Sequence, residues 1–195
     1  MKPRCWAAVV LAMVAAEVRA EPYAGIRLQY SAQVPNKLGD LVGPIYEVDD
    51  RLVALGVYAG YSFERWSLEI GGGPLGRRVS HNVGSTFDIT QTIDTKHVYG
   101  NVLYRWHFGQ FSPYLLLGVS RVSMKNYEYG FNDAGPAVQE NYSTTVSPMF
   151  GGGVAYALGR WEARADLFRI NNVAQSIHTN SSDVTAASLG IHYRF

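Results

Sequence analysis

The sequence predicts an all-β chain, an eight-stranded antiparallel up-and-down transmembrane β-barrel. Three observations predict it. Apolar and polar residues alternate in stretches of about 10 residues, the length of a membrane strand. Short and long connections between these stretches take turns, and aromatic residues cluster beside the short ones. Composition points the same way: of 195 residues, 20 are Gly and 13 Tyr and only 17% are charged, yet mean hydropathy is close to zero at −0.07. Strands with one face toward hydrocarbon and the other toward a polar interior average to such a value.

Residues 1–20 read as a signal peptide. Lys2 and Arg4 precede an apolar run from Trp6 to Ala16. That run falls short of the roughly 20 residues a membrane helix takes, but it suits a signal core. Val18-Arg19-Ala20 places modest side chains before a cleavage point at Glu21, with cleavage after Ala16 as an alternative. Residues 21–195 then form one barrel domain. The single cysteine, Cys5, leaves with the signal, so no disulfide, thiolate nucleophile or Cys-based metal site is expected. Without Lys2, Arg4, Arg19 and Glu17, 14 basic residues face 15 acidic ones. That balance gives no footprint for nucleic acid.

The last stretch shows the alternation most clearly. Ala187, Leu189, Ile191, Tyr193 and Phe195 alternate with Ser188, Gly190, His192 and Arg194, and strand geometry sends the two sets to opposite faces. Upstream, Ala24, Ile26, Leu28 and Tyr30 enclose Gly25, Arg27 and Gln29. Val53, Leu55, Val57, Ala59, Tyr61 and Phe63 enclose Ala54, Gly56, Tyr58, Gly60 and Ser62. Trp66, Leu68 and Ile70 face away from Glu69. Val98 to Phe108 alternates with Tyr99, Asn101, Leu103, Arg105 and His107. The segments beginning at Phe150 and Trp161 repeat the pattern, the latter with Glu162, Arg164 and Asp166 on its polar face. From Tyr114 to Met124 both faces are largely apolar and the register stays open. These stretches amount to eight strands.

Glu64-Arg65, Gly109 to Ser112 and Gly159-Arg160 read as tight hairpin turns. Long polar loops are expected over 33–50, 81–94, 128–144 and 173–183. Short turns in the periplasm and long loops outside are the habit of outer-membrane barrels. Phe63, Trp66, Trp106, Phe108, Phe111, Tyr114, Trp161 and Tyr193 gather at the short-turn end, where they are expected to form a membrane-interface girdle.

In this pattern the chain resembles the small outer-membrane barrels related to the OmpA transmembrane domain and the OmpX/Ail group. The ending Leu189-Gly190-Ile191-His192-Tyr193-Arg194-Phe195 resembles the terminal strand read by the barrel-assembly machinery, with Phe195 as the assembly signal. Ser112-Pro113-Tyr114-Leu115 resembles the start of a central strand in such barrels. The resemblance implies the outer membrane of a Gram-negative bacterium and contact with its lipid and lipopolysaccharide. It implies no peptidoglycan-binding domain.

The polar faces collect Arg27, Glu69, Arg105, Glu162, Arg164, Asp166, His192 and Arg194. An eight-stranded barrel has an interior just wide enough for side chains to fill, so these charges are expected to pair as a salt-bridged plug rather than line an ion path. His107 and His192 read as interior neighbours, too few for a metal site. Lipid A deacylases of this size carry a His-x-Ser pair, and the comparable stretch Arg164 to Arg169 holds neither residue. No catalytic site, metal or cofactor is expected, and the chain reads as a monomer. Loops 33–50 and 128–144, with Tyr46, Tyr127, Tyr129, Phe131 and Tyr142, are the expected place for a surface ligand. Their aromatics equally suit packing on one another or touching lipopolysaccharide. The reading is a structural or surface-interaction, adhesin-like protein. A narrow porin or gated channel is the alternative, and a lipid-modifying enzyme comes third.

Overall fold

The computed structural model describes residues 20–33, 45–51, 53–83, 88–132, 135–173 and 182–195. The signal-peptide reading of 1–20 falls outside this set except for Ala20. Among the described residues nine strand segments follow one another: β1 (Glu21–Gln33), β2 (Ile45–Arg51), β3 (Val53–Phe63), β4 (Trp66–Val83), β5 (Asp88–Arg105), β6 (Phe111–Asn132), β7 (Gly135–Leu158), β8 (Trp161–Val173) and β9 (Ser182–Arg194). All the pairings between them are antiparallel. β2 and β3 share one place: β3 pairs the turn-proximal half of β4, from Phe63↔Trp66 to Val57↔Gly72, and β2 pairs the distal half, from Arg51↔Arg77 to Ile45↔Asn82. The barrel therefore has eight staves. It closes where β1 pairs β9, with Ile26 opposite Ile191.

Alternation decides which face each residue takes. Leu28, Leu55, Ile70, Val98, Leu167 and Leu189 point outward and are exposed, while Arg27, Glu69, Tyr99, Asp166 and Ser188 are buried in the lumen. The segment left open by sequence resolves the same way. Leu115, Leu117 and Val119 face outward, and Tyr114, Leu116, Ser120, Val122 and Met124 face inward.

Three hairpin turns lie at one end. Glu64-Arg65 and Gly159-Arg160 match the expected positions, and the middle turn tightens to Gly109-Gln110 between the bridged Phe108 and Phe111. Gly109 and Gly159 sit at φ +65° and +68°, left-handed backbone that glycine adopts without steric cost.

The opposite end corrects the expected loops. Residues 81–94 and 128–144 are mostly strand: β4 runs to Val83, β5 starts at Asp88, β6 runs to Asn132 and β7 starts at Gly135. Loop 33–50 is likewise part strand, since Ile45–Arg51 pairs β4, while 34–44 lies outside the described residues. Polar character suggests loop here, but Ile89, Thr90, Thr92, Ile93, Tyr127, Tyr129 and Phe131 are β-branched or aromatic residues that favour strands. Beyond the hydrocarbon a strand has no need of an apolar face. β6 and β7 hold 22 and 24 residues, about twice what a bilayer crossing uses. Parts of β2, β4, β5, β6 and β7 thus continue as a sheet past the membrane. Among the described residues, Gly135–Pro148 of β7 pairs β6 alone, because pairing to β8 begins at Met149↔Ile170.

Candidate functional site

The inward residues of β8 show how the lumen is layered. Counting from the tight-turn end they are Glu162, Arg164, Asp166, Phe168 and Ile170. Three ionisable groups come first and two large apolar ones follow.

At the turn end, Arg105 Nη1 donates to Glu162 Oε1 at 2.7 Å. Arg194 Nη2 lies 3.9 Å from Glu162 Oε2, and its Nη1 lies 3.9 Å from Glu21 Oε2. His192 Nε2 stands 3.5 Å from Glu162 Oε1, and His192 Nδ1 stands 3.1 Å from Tyr58 Oη. The Tyr58 hydroxyl and His192 Nδ1 share a hydrogen bond, while Nε2 makes none and only approaches the carboxylate. A polar vestibule of about 330 Å³ opens here, lined in part by Arg105, His107, Ser112, Glu162 and Arg194.

Arg164 holds the next layer. Its guanidinium pairs with Glu69 from the opposite wall, lies 3.2 Å from Asp166 Oδ1, and donates from Nε to Tyr114 Oη at 3.0 Å. Tyr23 and Tyr99 donate to the two Glu69 oxygens at 3.1 and 3.0 Å. Tyr114 donates to Asp166 Oδ1, and Ser188 donates to Oδ2 at 2.9 Å. The Tyr58 and Tyr114 rings lie 5.1 and 5.0 Å from the Arg164 guanidinium carbon, close enough for cation–π attraction.

Arg27 stands above. It sits 4.4 Å over the Tyr99 ring and directs Nη2 at His97 Nε2, 3.3 Å away. Arginine only donates, so His97 accepts there and carries its proton on Nδ1, which faces Ser120 Oγ at 3.4 Å. Phe168 stacks on His97 with an interplanar angle of 9°. Beyond it lie Leu75, Val122, Met124, Met149, Ile170, Val173 and Val184, all buried.

The expected interior residues thus come together: Arg27, Glu69, Arg105, Glu162, Arg164, Asp166 and His192 are buried, with Arg194 at the vestibule rim. His107 does not join them. It is exposed at the turn end, bonded to Ser112 Oγ and the Glu64 carbonyl at 3.0 and 2.7 Å. His97 is the second interior histidine instead. Sequence reasoning also missed Tyr23, Tyr58, Tyr99 and Tyr114 as bridging donors. Position was a signal for two of them, since Tyr23 shares a face with Arg27 and Tyr99 with Arg105, whereas Tyr58 and Tyr114 have no charge nearby on theirs.

Among the residues expected in the girdle, Trp66, Trp106, Phe108, Phe111 and Trp161 are exposed at the turn end, and Phe63 and Tyr193 are half-buried. They form edge-to-face chains, Trp66–Tyr104–Trp106 and Trp161–Tyr193–Phe195, with centroids 4.7 to 5.4 Å apart. Tyr114 is the correction: it is 2% exposed, inside the barrel. Both faces of its segment are apolar, so polarity gave no direction, and its hydroxyl finds Asp166 and Arg164 in the lumen.

The sequence profile of the outer membrane protein beta-barrel domain family matches residues 5–195. A search of curated proteins finds no match. Among solved structures, a major outer membrane protein from Thermus thermophilus is similar with a TM-score of 0.58 at 13% identity, covering 91% of this chain and 100% of that one. The attachment invasion locus protein Ail of Yersinia pestis, in complex with the heparin analogue sucrose octasulfate, is similar with a TM-score of 0.52 at 16% identity, covering 90% and 97%. At such identities the likeness shows the fold alone.

Proposed function

Because the chain belongs to the outer membrane protein beta-barrel domain family, and so resides in the outer membrane, we propose that it is a surface-interaction protein that binds its partner through the sheet projecting outside. One observation carries this reading. The β6–β7 hairpin continues past the apolar band with Tyr129, Phe131, Val138 and Tyr142 exposed on its outer face. Aromatic residues held on a rigid strand pair make anchors at little conformational cost. Among the described residues, Gly135–Pro148 of β7 pairs no strand on its other side, an edge of the kind that accepts a further strand. Ail in complex with a heparin analogue offers a precedent for ligand binding on this fold.

The lumen supports a structural role over a channel. Its carboxylates are each engaged by a guanidinium, and large apolar side chains, Phe168, Met149 and Ile170 among them, stand in the outer half beside small polar ones such as Ser31 and Ser147. In this reading residues 1–20 are a cleaved signal, the aromatic chains anchor the barrel at the periplasmic interface, and Phe195 presents the assembly signal. No catalytic residue is assigned, and the barrel acts as a monomer.

The test is adhesion of bacterial cells displaying the protein to surfaces coated with extracellular matrix protein. Replacing Tyr129, Phe131 and Tyr142 by Ser is expected to abolish adhesion while the barrel keeps its heat-modifiable gel mobility. Equal adhesion by the triple variant contradicts the reading.

A further inference from the structure

On the outer face, β5 presents Val102, Gly100, Val98 and Lys96 in succession toward the projecting sheet, and β6 presents Leu115, Leu117, Val119 and Arg121. On both strands the last of these is the first charge beyond the apolar band. The register sets Gly100 opposite Val119, Val98 opposite Arg121 and Lys96 opposite Ser123. Lys96 and Arg121 are therefore diagonal neighbours, with backbones about 7–8 Å apart in such pairs, and both are exposed. The acids nearby are taken: Asp94 lies 3.8 Å from Arg77, and Glu140 pairs with Lys125. Among the described residues neither Lys96 nor Arg121 has an acidic partner. Two adjacent like charges repel unless an anion sits between them.

Below them the wall is dented. A Cβ added at Gly100 would meet nothing within 4 Å. The exposed side chains of Ile70 and Val119 stand on either side, being the register partners of Gly100 on β4 and β6. The dent continues as a groove of about 660 Å³ past Ala59 and Ala24 to Phe195. It faces hydrocarbon, and its β6 end lies two residues, about 7 Å of strand, from Arg121.

We propose that Lys96, Arg121 and the groove over Gly100 form an external site for a phosphorylated acyl lipid, and that its occupant is lipid A. The cations supply charge for a phosphate at the headgroup level, and the groove takes an acyl chain below it. The cations lie at the end remote from the tight turns, which is the outer leaflet, where lipid A is the phosphate-bearing lipid. The site depends only on membrane placement and stands apart from the surface-interaction reading.

The experiment measures binding to the detergent-refolded barrel by native mass spectrometry, using bisphosphorylated lipid A, lipid A stripped of phosphate, and phosphatidylglycerol. Lys96→Gln/Arg121→Gln is expected to weaken lipid A binding by about tenfold, or about 1.4 kcal/mol, and Lys96→Arg/Arg121→Lys to retain it. Phosphate-free lipid A is expected to bind weakly and equally to both proteins. Gly100→Leu, which fills the dent, is expected to weaken lipid A binding with both cations in place, and it serves if the double variant fails to fold. Undiminished binding by the folded Gln variant overturns the proposal. So does undiminished binding by Gly100→Leu, or phosphatidylglycerol binding as tightly as lipid A.

Discussion

Arg164 and Glu69, 95 residues apart in sequence, form an ion pair across the full width of the lumen. β8 and β4 are four staves apart in a closed ring of eight, so the pair joins opposite walls. Both side chains are at most 2% exposed. Isolated charges at such a site are costly, and the arrangement persists because each has several partners: Tyr23 and Tyr99 on Glu69, Asp166 and Tyr114 on Arg164.

Removing either partner is therefore expected to be costly, and removing both to cost less than the two single losses added together. Glu69→Gln strands the Arg164 charge, and breaking such a pair typically costs about 3–5 kcal/mol. In urea unfolding from lipid vesicles, Glu69→Gln and Arg164→Met are each expected to lower stability by that order. The double variant should fall short of the sum by roughly 0.5–3 kcal/mol. Additive losses would mean that the two side chains do not interact.

Glycines along the inner wall make room for the tyrosines that satisfy these charges. A Cβ at Gly153 would come within 2.8 Å of the Tyr114 ring carbon Cζ, and one at Gly71 within 2.5 Å of Tyr99 Cζ. Gly153→Leu is expected to destabilise the barrel by about 1–3 kcal/mol through overpacking. Gly100→Leu, on the outer wall, should stay within about 0.5 kcal/mol. Thermal unfolding followed by gel mobility distinguishes them, and equal losses would contradict the assigned faces.

Outside the membrane, hydrogen bonds from Lys125 and Tyr142 hold the Glu140 carboxyl below its ordinary value of 4.5, and Glu140 holds Lys125 above its ordinary 10.5. A depressed acid contributes stability that is present above its ordinary value and lost as pH falls through the lowered one. A raised base contributes stability present below its ordinary value and lost as pH rises through the raised one. The β6–β7 hairpin should therefore be most protected between about pH 4.5 and 10.5. Hydrogen exchange of amides 124–142, corrected for intrinsic rates, is expected to show protection falling below that window in the wild type and staying flat there in Glu140→Gln. A wild-type profile flat below the acid edge of the window would remove the pair from hairpin stability.

Much of this barrel was legible because lipid enforces the alternation. Leu189 and Ile191 have no polar alternative on their face, and Ser188 and His192 have no apolar one. The projecting sheet was not legible. Around Lys125 and Asn126 both faces carry polar residues, so strand and loop show the same polarity. The β6 register was hidden for the opposite reason. Leu116, Val122 and Met124 line an apolar layer of the lumen, which makes the inner face resemble the outer. The same masking put Tyr114 in the girdle. Of the site, the charged residues were visible, but the tyrosines between them were not, since a tyrosine suits either face.

The layered lumen also predicts closure to ions. Planar-bilayer recording of the wild type should give no steady conductance. Phe168→Gly/Ile170→Gly, which thins the apolar layer over the vestibule, should produce discrete openings. Steady wild-type conductance would favour the narrow-porin reading.

The central claim is that successive side chains alternate between hydrocarbon and lumen, and β6 tests it where sequence alone had no answer. Nitroxide labels placed one at a time from 114 to 122 in vesicle-reconstituted protein report exposure to lipid-dissolved oxygen. High accessibility is expected at 115, 117 and 119, and protection at 114, 116, 120 and 122. A profile repeating every three to four residues, or one with the two sets exchanged, would contradict the barrel as described.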